Sequence, residues 1–272
     1  MAQSRANAQF VQPSAFVRTY DPPIAVDPWT FTRRYQAASS IVNSHEDVSP
    51  STVSHRVKLP ESAIERWFFG DEHSAPQLIE ELELAKKLGW IGISPTTKAF
   101  RGFNVLVSSA YALGNISAES FESRFAVRST HDIDRVAWAI TRIGIKYRMA
   151  RSSEEARARE LIPTEHGRIL GRVLVTLGAP TDDDIAGSET LPDYLSRVSR
   201  EHQLAFAKTF LESHPRAVAA NKAIRIQESR TADFLDDLTR FLEEVSGGTV
   251  TRQEQDIVVS ADAALALGRV VG

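Results

Sequence analysis

The sequence contains no cysteine, which excludes disulfide scaffolds, thiol nucleophiles, iron–sulfur clusters and zinc fingers. It is also sparing with the residues that interrupt order. Its 14 glycines and 12 prolines in 272 residues are too few for a collagen-like or low-complexity chain. Long hydrophobic runs are missing too. No stretch approaches the roughly 20 apolar residues of a spanning helix, and Met1 to Phe16 holds no apolar run long enough for a signal-peptide core. A cytoplasmic protein with no membrane partner is expected. Neither sign of charge dominates: 32 basic side chains stand against 35 acidic ones, for a net charge of −3. The total therefore argues neither for nor against nucleic acid, and the distribution has to decide. What is present is an ordinary globular composition, 42% hydrophobic and 25% charged, long enough for two or three separate cores.

Several catalytic signatures are likewise missing. There is no Gly-rich phosphate loop, no Gly-x-Ser-x-Gly elbow and no dinucleotide fingerprint. The seven histidines show no ligand spacing, so neither a metal nor another cofactor is expected. His166 and His214 read as surface or capping residues, and Trp67 and Trp138 as packing residues at helical spacing. Asp182-Asp183-Asp184, after Gly178-Ala-Pro, reads as a loop and helix-capping feature.

The first 26 residues are polar, carry Pro13, Pro22 and Pro23, and are expected to form a flexible arm. Ordered structure is expected from Val26-Asp27-Pro28-Trp29. Asp27 is a good N-cap, Pro28 suits the first helical position, and Val26 can staple against Phe31. This helix should reach about Ser44. Ser49-Pro50 opens a second, short helix to Val57, Lys58-Leu59-Pro60 breaks the chain, and a third helix runs from about Glu61 to Phe68, stopped by Gly70. Two short helices joined by a tight turn are how a helix-turn-helix presents its second helix outward. The text from Ser49 to Trp67 resembles the helix-turn-helix of many prokaryotic regulators. That resemblance places Glu61, Ser62, Glu65 and Arg66 at base edges, and Thr52, His55 and Arg56 near phosphates. The alternative is a structural helical hairpin without DNA contact. Residues 27–92 are assigned to this domain.

Beyond an amphipathic helix at about Ala75 to Leu88, the pattern repeats. Helix (Phe103 to Gly114), strand (Glu122 to Ser129), helix (Asp132 to Ile143) and strands (Ile145 to Arg151, Ala156 to Ile162) come first. Roughly 100 residues later the same order returns: helix (Gln203 to Ser213), strand (Ala223 to Glu228), helix (Thr231 to Val245), strands (Thr249 to Gln255, Asp256 to Ser260). Between the copies lie helices at His166 to Leu177 and Leu191 to Arg197. The expected fold is α+β: a helical N-terminal domain, then a pseudo-twofold duplicated αββαββ domain with repeat 1 and its connecting helices at 103–200 and repeat 2 at 201–272.

The first repeat's helix, Leu106-Val-Ser-Ser-Ala-Tyr-Ala-Leu-Gly114, resembles a degenerate LAGLIDADG motif of homing endonucleases, and Phe206 to His214 is a more eroded copy. The resemblance implies that Ser108, Ser109, Ala110, Ala112 and Gly114 let two such helices approach closely. In the active family an acid at the eighth motif position holds the divalent metal. Here those positions are Leu113 and Ser213, which cannot supply that ligand set. The resemblance thus implies a retained fold without the nuclease and without catalytic residues. The pairing of a helix-turn-helix with such a domain is similar to WhiA-type transcriptional regulators, where the two modules stand in the opposite order.

The cations are patterned as well. In the strand segments one alternation face is apolar (Phe125, Val127; Ile145, Tyr147, Met149; Ile224, Ile226). The other carries Arg124 and Arg128, Lys146 and Arg148, and Arg225, with Arg157 and Arg159 extending the set. Such a row could track a duplex backbone; the alternative is a solvated face with scattered salt bridges. The expected function is a sequence-specific, nucleoid-associated regulator of double-stranded DNA, with the transcription machinery as a further partner. The alternatives are a residual endonuclease using Glu212 or the Asp182–Asp184 loop, and a protein-interaction adaptor.

Overall fold

The computed structural model describes residues 8–45, 47–70, 74–150, 159–183, 190–214, 223–268 and the backbone of 216–218. Two compact units result: residues 11–92, and 1–10 together with 93–272.

The first unit is all helical. Short α1 (Pro13–Val17) is followed by α2 (Pro28–Ser44), α3 (Pro50–Val57), α4 (Glu61–Ile64) and α5 (Gln77–Lys87). α4 runs on through a single π turn, Glu65–Phe69, closed by the Gly70 amide on the Glu65 carbonyl at 2.9 Å. The starts follow the cap chemistry read from the sequence. Asp27 accepts from the Thr30 amide, Ser49 accepts from the Thr52 amide, and a proline opens each helix behind its cap. Phe31, Ala38, Val53, Ile64 and Leu82 are fully buried, and Trp67 meets Phe31 edge-on at 5.6 Å and Tyr35 at 5.7 Å. The flexible arm expected over residues 1–26 is not what residues 11–20 form. Phe16 and Val17 have no exposed surface and Val11 almost none, and the Tyr20 hydroxyl donates to Glu81 at 2.6 Å. Prolines and polar residues set the segment's turns, and four apolar side chains anchor it.

The second unit is α+β and internally duplicated. Repeat 1 comprises α6 (Lys98–Ala112), β1 (Gly114–Ile116), β2 (Ser123–Val127), α7 (Thr130–Arg142), β3 (Tyr147–Ala150) and β4 (Arg159–Pro163). After α8 (Gly167–Thr176) and a 3₁₀ turn at Asp193–Arg197, repeat 2 supplies α9 (Arg200–Ser213), β5 (Arg216–Val218), β6 (Ile224–Gln227), α10 (Ala232–Ser246), β7 (Val250–Gln253) and β8 (Asp256–Val259). α11 (Ala261–Ala266) follows. Both sheets are antiparallel with one strand order, β1-β2-β4-β3 and β5-β6-β8-β7.

The two copies meet along α6 and α9. Asn104 Nδ2 donates to the His202 carbonyl at 2.9 Å, and Ser108 Oγ to the Phe206 carbonyl at 2.8 Å. Each bond spans 98 residues, so the helices run in the same direction. A side chain reaching a neighbouring helix's backbone requires close approach, which the small residues of α6 permit. α7 approaches the same helix: a Cβ added at Gly102 would lie 2.8 Å from the Ala139 carbonyl. The Tyr194 hydroxyl completes the interior by donating to Asn104 Oδ1 at 2.8 Å, leaving no polar atom of Asn104's amide pair idle.

Candidate nucleic-acid interface

In the helical unit, α3 and α4 are joined through Lys58, which adopts the left-handed region at φ 56°. Ser54 Oγ donates to the Leu59 carbonyl at 2.7 Å and fixes the turn. Val53 and Val57 of α3 and Ala63, Ile64 and Trp67 of α4 face the core. The complementary positions Thr52, His55 and Arg56, and Glu61, Ser62, Glu65 and Arg66, are all exposed. Each set occupies one helical face, as the 3.6 period requires. Thr52 Oγ1 lies 2.9 Å from Ser49 Oγ, and the Arg66 guanidinium sits 5.8 Å from the Trp67 ring centroid.

The sheet cations divide. In repeat 1, the pairs Phe125↔Leu161 and Met149↔Leu161 define the face turned to the helices, and Asn115↔Arg124 and Arg148↔Ile162 the opposite face. Arg124 and Arg148 therefore share the outer face, and Arg128 and Lys146, just beyond the strand ends, are exposed with them. Arg124 pairs with Glu122 at 3.5 Å and Lys146 with Glu165 at 3.1 Å; no carboxylate pairs with the Arg128 or Arg148 side chain among the described residues. Arg159 departs from the expected row. It is paired with Val127, which is buried, so its register places it on the helix-facing side. Arg157 lies outside the described residues. Arg225 is on the outer face of sheet 2 but is already neutralised, 3.2 Å from Asp256 and 3.1 Å from Gln253 Oε1.

Two assignments also change, those of Trp138 and His214. Trp138 is 45% exposed beside Arg142, because the buried stripe of α7 runs through Val136, Ala139 and Ile140 on the opposite side. Tyr147 and Met149 do lie on the apolar side of the sheet, yet remain 40% and 38% exposed because β3 is its edge. His214 is buried, with Nδ1 2.9 Å from the Phe210 carbonyl and Nε2 3.2 Å from Glu228.

Sequence reasoning missed the charge clusters at the ends of the two central helices. Arg135 of α7 donates to Glu212 at 2.8 Å and to Ser213 Oγ at 2.7 Å, at the C-terminal end of α9, and also pairs with Asp132. Arg230, just before α10, donates to the Tyr111 carbonyl at the C-terminal end of α6 and sits 3.7 Å from Glu228. Each repeat thus sends a guanidinium to the carbonyl end of the other repeat's central helix, where the helix dipole favours positive charge. Burial pulls Arg230 below the ordinary arginine value, against the opposing pull of Glu228. No group of three His, Asp or Glu side chains converges to hold a metal ion among the described residues. Asp182, from the acidic triplet, accepts the Ala118 amide at 2.8 Å and anchors its loop. No described helix is long and apolar enough to cross a membrane.

No family model and no curated protein matches the chain. Among solved structures it is similar to the crystal structure of full-length DUF199/WhiA from Thermatoga maritima, at 9% identity and a TM-score of 0.40, over 67% of this chain and 58% of that one. The chain therefore spans somewhat over half the length of that protein, and so faint a likeness carries no functional inference.

Proposed function

We propose that the chain is a sequence-specific duplex-DNA-binding regulator whose α3–α4 pair enters the major groove. The observation that carries this reading is the exposure of all seven helix-turn-helix positions predicted to meet DNA, on two adjoining helices held by a tight left-handed turn. Arg66 would donate to guanine and Glu61 or Glu65 accept from cytosine, while Arg56 neutralises a phosphate. The duplicated domain keeps a LAGLIDADG-like arrangement without its chemistry. Supporting this, the eighth motif positions are Leu113 and Ser213, and Glu212 beside them is already committed to Arg135. One observation favours a protein partner for sheet 1 instead: its edge strand β3 leaves Tyr147 and Met149 uncovered.

The test is selection from a randomised duplex pool, followed by fluorescence anisotropy on the enriched sequence. Arg66→Ala should relax specificity at one position by about 1–3 kcal/mol, and Arg56→Ala should weaken all duplexes alike and lower the salt slope by about one. The enriched duplex should stay intact in Mg²⁺. Failure to bind any duplex at low salt sinks the reading, and EDTA-sensitive nicking replaces it with the nuclease.

A further inference from the structure

A cavity of about 430 Å³ opens between α2 and α3 of the helical unit. Three guanidinium groups line it: Arg33 and Arg34 from consecutive positions of α2, and Arg56 from α3. Its remaining wall includes Ala37, Ile41 and Val57, the last of them buried. No carboxylate lines the cavity, and no ion pair joins any of the three arginines to an acid among the described residues. Arg34 is half-buried and held in place, with Nη1 donating to the Lys58 carbonyl at 3.0 Å.

This combination is unusual because like charges repel unless something neutralises them, and here nothing described on the protein does. A planar guanidinium matches a carboxylate or phosphate through two parallel hydrogen bonds. The hydrocarbon wall asks for something further, since Ala37, Ile41 and Val57 gain nothing from a bare hydrated ion. The cavity's volume falls in the size range of small-molecule sites.

We propose that the α2–α3 cavity binds a small amphipathic organic anion, its carboxylate or phosphate on Arg33, Arg34 and Arg56 and its apolar body against Ala37, Ile41 and Val57. The proposal shares Arg56 with the duplex reading above but does not rest on it, and its test therefore uses Arg33 and Ala37, which that reading does not involve.

Phenyl phosphate serves as the probe for the full-length chain, with inorganic phosphate as the polar-only comparator, both by isothermal titration calorimetry. Phenyl phosphate should bind with one-to-one stoichiometry and at least roughly tenfold more tightly than inorganic phosphate. Ala37→Glu places a carboxylate among the arginines at an exposed helical position, so the fold should survive, as circular dichroism will report. It should weaken phenyl phosphate by roughly tenfold or more, as should Arg33→Ala. Equal affinity for the two probes overturns the proposal, as does an Ala37→Glu protein that is folded and binds phenyl phosphate unchanged. If phenyl phosphate does not bind while Ala37→Glu abolishes duplex binding, the cavity seats a DNA backbone, and the small-anion proposal fails with the DNA reading intact.

Discussion

Glu228 shows how a single residue's role depends on neighbours that the local pattern does not reveal. Burial alone would push its carboxyl up. The hydrogen bond from His214, the charges of Arg230 and His214, and the Ser229 amide together hold it below the ordinary carboxylate value. A carboxyl depressed in the folded state stabilises the protein above its unfolded value and loses that contribution as pH falls through the folded one. Glu228→Gln should therefore cost about 1–3 kcal/mol at neutral pH, and the gap to wild type should close as pH drops below the ordinary glutamate value of 4.5. Urea titrations at neutral and acid pH measure both; a constant gap would show that Glu228 is not ionised in the fold. None of this was legible beforehand. Glu228 and His214 lie 14 residues apart on different elements, and a lone histidine after a helix looks like a surface residue. Arg159 was misplaced for a similar reason, since alternation gives two faces but the register with β2 decides which is which.

At the scale of elements, legibility was high where local chemistry is strong. Asp27, Ser49 and Thr231 each accept a backbone amide at the helix start the sequence marks, because caps act within three residues, whereas α7 is capped by Ser129, three residues before its expected first residue Asp132. β1 and β5 were not marked. They are three residues each, too short for an alternation to register, and exist because β2 and β6 offer them an edge. The π turn at Glu65–Phe69 also has no local signature. The α3–α4 turn invites a direct test, because Lys58 holds a left-handed backbone that glycine adopts without the Cβ penalty. Lys58→Gly should raise the unfolding free energy by up to about 1 kcal/mol, read as a higher denaturant midpoint with unchanged slope. A lower midpoint would mean that the lysine side chain stabilises the turn more than its backbone conformation costs.

At the scale of the whole molecule, duplication fixed the topology but not the chemistry of the two copies. The strand orders match, the central helices are joined at a constant 98-residue offset, and this architecture could be read from the recurrence of helices and strands alone. The outer faces of the sheets have diverged. In sheet 2 the single predicted cation is held by Asp256 and Gln253, while in repeat 1 Arg128 and Arg148 have no acidic partner among the described residues. A cation that stays paired within the protein neutralises no phosphate and so displaces none of the duplex's condensed counterions, whereas an unpaired one does, and the slope of log K against log salt counts the difference. If sheet 1 contributes to duplex binding, Arg128→Ala/Arg148→Ala should reduce that slope by about two, and Arg225→Ala should leave it unchanged. The measurement is anisotropy on one duplex from about 50 to 200 mM salt. A slope unmoved by the double substitution would confine DNA contact to the helical unit and leave sheet 1 to a protein partner; a slope lowered by Arg225→Ala would show that its pair with Asp256 opens on binding.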